Sequence, residues 1–123
     1  MPEDRLPIVT VLEHEVAPPL YNDPALVERL RPVFVRALGA DNVLAGTPSM
    51  ASEDFGNFGL DRKIPLMMFG VGMVTAEALA ESKRTGVPLP GNHSPLFAPV
   101  PEPTIRTGVE AMTLALINVM PRP

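Results

Sequence analysis

The chain has 123 residues, with 10 Lys and Arg against 14 Asp and Glu, a net charge of -4 and 46% hydrophobic residues. That composition belongs to a globular chain and argues against a nucleic-acid or anionic-membrane partner, both of which need a basic face. No cysteine is present, which excludes disulfides and thiolate metal sites, and no apolar run approaches the roughly 20 residues that span a bilayer.

Sixteen prolines and a 5% aromatic content without Trp predict an aliphatic core, with seven Met as adaptable filler. The opening residues "MPEDRLPIVTVLEHE" place acids first and carry no long apolar run. A signal peptide is therefore not expected, and a cytoplasmic location is.

Residues 7–16, "PIVTVLEHEV", are rich in β-branched side chains and alternate in their second half, which predicts a strand. His14 would lie on a strand face there, with no second ligand at helical spacing. "APPLYNDP" breaks the chain as a connector. Asp23 is a good N-cap and Pro24 fits the first helical position. Leu26, Leu30, Val33, Ala37 and Leu38 then recur at helical spacing up to Gly39, so a helix is predicted in between. Pro32 falls inside it and should kink it, at a cost of about 3 kcal/mol relative to Ala.

"DNVLAG" reads as a short strand or extended segment, and "TPSMASEDFGNFG" as a polar loop opening into one helical turn. "IPLMMFGVG", residues 64–72, is a continuous apolar run between a charged turn and glycines, which predicts a strand buried on both faces as in a parallel sheet. "VTAEALAESKRTG" fits two helical turns, and "VPLPGNHSPLFAPVPEP" is a proline-rich loop. A last helix opens at Glu102 or Pro103. Ile105, Val109, Met112, Leu116 and Val119 repeat along it, and Pro121 stops it. The predicted class is α/β. Two or three strands and two helices leave a buried strand poorly covered, so the chain reads as a piece of something larger.

Two clusters could carry chemistry. His93 sits in "PGNHSP", where Pro90 and Pro95 restrict the loop. It reads either as a metal ligand or acid/base group, or as a surface loop histidine. Ser52, Glu53 and Asp54 precede Phe55. They could orient a metal-bound histidine or meet a substrate, or they could simply cap a helix start. "NHS" matches the Asn-x-Ser glycosylation pattern, but Pro95 follows at once and no secretion signal accompanies it. No Gly-x-Ser-x-Gly or P-loop is present.

Taken together, "PPLYNDPAL", "SMASEDFGNF", "PLMMFGVG" and "PGNHSPLFAPVPEPTIRTGVEAMTLALINVM" resemble the C-terminal part of the M20 family of metallopeptidases. The nearest branch is the amidohydrolases, which include aminoacylase, hippurate hydrolase and carboxypeptidase-like enzymes. The resemblance covers nearly the whole chain, and the order and spacing of the motifs are its specific part. It implies an α/β catalytic domain with a mixed or parallel sheet flanked by helices, holding two divalent metals, zinc or manganese. It also implies a smaller lid that mediates homodimerisation.

Residues 1–17 would carry the last lid strand, and residues 18–123 the C-terminal portion of the catalytic domain. His93 falls on the family's final metal-binding histidine. Ser52, Glu53 and Asp54 fall on the "SEDF" segment that lines the site, and Asn92 lies beside the ligand on the substrate side. The implied reaction is hydrolysis of N-acyl amino acids or short peptides by metal-activated water.

The family's His-x-Asp segment, its paired glutamates and a further ligand lie N-terminal to this region and are missing here. A two-metal site needs several ligands and a base. No catalytic residue is therefore assigned to this chain. It is expected to be a fragment that is inactive alone, or, in a different class, a non-catalytic binding module derived from the hydrolase.

Overall fold

The computed structural model describes residues 2–12, 17, 19–51 and 53–120. Three α-helices are set among them: α1 (Pro24–Leu38), α2 (Ala76–Thr85) and α3 (Pro101–Val119). Each boundary has a local cause. Asp23 is extended, and its Oδ1 accepts from the Leu26 N–H at 2.8 Å, while Pro24 opens α1 without a donor to waste. Gly39 closes it at φ 88, a value that favours glycine. Thr75 caps α2 by accepting from the Ala78 N–H at 3.1 Å, and Gly86 ends it at φ 73. The backbone N–H of Glu77, then the Thr75 hydroxyl, hold the Glu77 carboxyl below the ordinary glutamate range. α3 starts at Pro101, slightly before the expected Glu102, because proline is pre-set for the first helical position.

The core is small. Leu30 and Phe34 of α1 pack on Ala111 and Ala115 of α3, and Leu26, Leu38, Val43 and Leu114 surround them. The two alanines let the helix backbones approach closely. Met67 and Phe69 close the cluster from the following extended segment, with the Phe34 and Phe69 rings tilted at 58° and 5.3 Å apart. The Arg29 guanidinium donates to the Asn118 carbonyl in the last turn of α3, where carbonyls lack helical partners.

The expected α/β architecture is overturned: among the described residues there is no strand and no sheet, and the regular structure is helical. Residues 7–12 form no helix or strand and pair with nothing described, and Ile8 is 94% exposed. Residues 13–16, with His14, lie outside the described residues. "DNVLAG" begins in a 3-10 turn, Ala40–Asn42, and then runs on without a ladder.

Residues 64–72 show why the expected strand does not form. The period of two survives: Met67, Phe69 and Val71 are half-buried while Met68, Gly70 and Gly72 are exposed. No neighbouring strand supplies a ladder. Asn22 takes that role instead. Its Nδ2 donates to the Met68 carbonyl and its Oδ1 accepts from the Met68 N–H, both at 2.8 Å. Beside it the Asp23 N–H donates to the Leu66 carbonyl at 2.8 Å. At the far end the Val100 N–H reaches the Met73 carbonyl at 2.9 Å, and the Thr104 hydroxyl the Gly72 carbonyl at 3.3 Å. One face of the segment lies on the helices and the other is open, so it is not buried on both faces.

The α3 stripe is also turned outward. Ile105 is 63% and Leu116 48% exposed, and Val109, Met112 and Val119 accompany them in solvent. The accessible surface is 10732 Å², against about 6,400 Å² for a folded monomer of 13.2 kDa. Among the described residues, no helix is long and apolar enough to cross a membrane.

Candidate functional site

His93 lies on the loop between α2 and α3, in the first of two successive turns. The Ser94 N–H closes the first on the Gly91 carbonyl at 3.1 Å, and the Phe97 N–H closes the second on the Ser94 carbonyl at 3.0 Å. The Ser94 hydroxyl braces the second turn by accepting from the Leu96 N–H at 3.2 Å. In the first turn Asn92 and His93 are the central residues, and His93 takes a left-handed φ of 71. Glycine or asparagine is the inexpensive residue at that third turn position. Here Asn92 stands one place too early and histidine adopts the strained conformation, at a cost of about 1 kcal/mol. Both side chains are exposed.

His93→Gly is therefore expected to raise stability by up to about 1 kcal/mol in urea titration, because relief of the left-handed strain exceeds the freedom glycine gives the unfolded chain. A loss of stability would show that the imidazole makes contacts worth more than the strain.

The "SEDF" cluster takes the capping role in this structure. Glu53 precedes a 3-10 helix, Asp54–Gly59, and its Oε1 accepts from the Phe55 N–H at 3.1 Å. Asp54 is the first residue of that helix and is exposed. The Phe55 and Phe58 rings of that helix meet at a tilt of 44°, 5.9 Å apart. Ser52 lies outside the described residues. Among the described residues no hydrogen bond or ion pair joins Glu53 or Asp54 to His93, and no three His, Asp or Glu side chains gather where a metal ion could be held. Asn92 stays beside His93 through the turn alone.

Two further features have no signal in the sequence. Asn22, in the stretch expected to be a connector, is the clamp that fastens Met68 to the start of α1. Arg62 stacks its guanidinium 4.5 Å from the centre of the Tyr21 ring. Nothing in "GLDRK" signals that contact, since its partner is far away along the chain.

No family model matches the chain, and no solved structure matches it.

Proposed function

We propose that the chain is the C-terminal part of an M20-type amidohydrolase and that His93 is the ligand it contributes to a divalent metal, zinc or manganese. The observation that carries this reading is the strained, exposed His93 in a doubly turned loop between two prolines. Left-handed non-glycine residues concentrate where a side chain must be aimed. The motif order around "PGNHSPLF" supplies the rest of the support, and the uncovered apolar surface agrees with a piece that more protein covers.

The donors described here do not make a metal centre by themselves. One imidazole and two exposed carboxylates held apart from it fall short of the three or four protein ligands such a site needs. Completion therefore belongs to residues outside this sequence. Hydrolysis of N-acyl amino acids or short peptides belongs to the assembled cytoplasmic enzyme, a homodimer on this reading. Ser52, Glu53, Asp54 and Asn92 would border the ligand, not bind the metal.

The test begins with an antibody against residues 89–123, used on extract of the source cells. The expected result is a band several times larger than 13.2 kDa. The captured protein should hydrolyse N-acetyl amino acids, and a His93→Ala copy should not. The purified 123-residue chain should show no turnover with zinc or manganese added. A 13.2 kDa band alone, or full activity in the His93→Ala copy, would overturn the proposal. The outward α3 stripe favours a second reading, a non-catalytic interaction module. A native 13.2 kDa protein without hydrolase activity would support it.

A further inference from the structure

The loop after the 3-10 helix has an unusual backbone. Leu60, Asp61 and Arg62 adopt left-handed conformations in succession, at φ 46, 57 and 66. The loop is closed on both sides: the Ile64 N–H reaches the Gly59 carbonyl at 3.0 Å and the Lys63 N–H the Leu60 carbonyl at 3.3 Å. Three consecutive strained residues, none of them glycine, cost several kcal/mol together, on the order of 1 kcal/mol or more each. Their effect is to place Arg62 over Tyr21, at the edge of a cavity of about 270 Å³.

The cavity carries two opposite charges that do not meet. Arg62 and Asp23 both line it, yet the salt bridges formed among the described residues are Glu81–Arg84 and Glu102–Arg106. The Tyr21 ring holds the guanidinium instead. Asp23 spends Oδ1 on the Leu26 N–H, which leaves Oδ2 for another donor. The other lining residues are prolines, Gly56 and Gly59, and the aliphatic Ile64 and Leu66. A cation and an anion that line one small cavity without pairing, beside two aliphatic side chains, match a zwitterion with an aliphatic group.

We propose that this cavity binds a free aliphatic α-amino acid. Its carboxylate meets Arg62, its ammonium meets Asp23, and its side chain lies against Ile64 and Leu66. The guanidinium offers a planar pair of donors to a carboxylate, and the Asp23 oxygen accepts from an ammonium. Drug-sized ligands take roughly 300–1,000 Å³, so the cavity fits a smaller molecule. The proposal is independent of the reading of His93.

The test is a titration of the isotope-labelled chain followed by NMR at the backbone amides of Gly56, Gly59 and Leu66. The probes are L-leucine, isocaproate, which lacks the ammonium, and isoamylamine, which lacks the carboxylate. Leucine is expected to give saturable shifts at these amides, and each half-ligand to bind about tenfold more weakly or less, as for the loss of one charge-assisted contact. Arg62→Gln and Asp23→Asn should each weaken leucine by a similar factor, whereas His93→Ala should not. Asparagine remains a good N-cap, so the second variant keeps α1 intact. Absence of saturation with leucine, isocaproate binding as tightly as leucine, or variants binding like the parent would each overturn the proposal.

Discussion

Phe34→Ala is expected to abolish cooperative unfolding of the chain. Phe34 is 5% exposed and is one of the few side chains that join α1, α3 and the extended segment. Its ring meets Phe69 at 5.3 Å, so truncation removes the aromatic contact and leaves a void beside Leu30 and Ala111. Such substitutions cost about 3–5 kcal/mol in a well-formed core. Small domains have a total stability of roughly 5–15 kcal/mol, and this chain covers far less surface than most. A urea titration followed by far-ultraviolet circular dichroism should show a sloping signal without a folded baseline. A variant with the parent's midpoint would mean that the α1–α3 contact does not hold the chain together.

Pro32→Ala is expected to act in the opposite direction, raising stability by about 2 kcal/mol. Pro32 lies inside α1 and is exposed, so its ring contributes no buried contact. It removes one helical hydrogen bond and crowds the carbonyl one turn earlier, a penalty of about 3 kcal/mol against Ala. Part of that gain is returned, since alanine frees the unfolded chain by about 0.4–1 kcal/mol. The check is a higher urea midpoint at unchanged slope. A lower midpoint would show that Pro32 itself is needed to seat Leu30 and Phe34 together on α3.

The helices are legible in the residue order because their signals are local. Asp23, Pro24 and Gly39 mark α1 by hydrogen-bond supply and backbone conformation alone. The apolar repeat from Ile105 to Val119 likewise marks α3, to within a residue or two of its start. The prolines around His93 and the candidate capping role of Glu53 can also be read directly from residue types, and the structure realises that cap.

Other features required the chain to meet itself. The run "IPLMMFGVG" states a preference for extended backbone, and the alternating burial of residues 67–72 honours it. A sheet, however, is a property of neighbours. Where a strand should lie alongside, the described residues offer scattered partners: the Asn22 amide, the Asp23 and Val100 N–H groups and the Thr104 hydroxyl. The α3 repeat defines an apolar face without saying which face meets α1. Packing chose Ala111 and Ala115, the small side that permits close approach, and left Ile105 and Leu116 outside.

Residue order alone marks the ends of α1, rules out cysteine chemistry and sets His93 between prolines. Each of these follows from side-chain chemistry within a few residues. Three features rest on how the chain packs: that no ladder forms among the described residues, that His93 and not Asn92 takes the left-handed turn position, and that Arg62 rests on Tyr21 at a cavity that Asp23 also lines. Each depends on how the chain is arranged in space around those residues, and residue spacing carries no record of that.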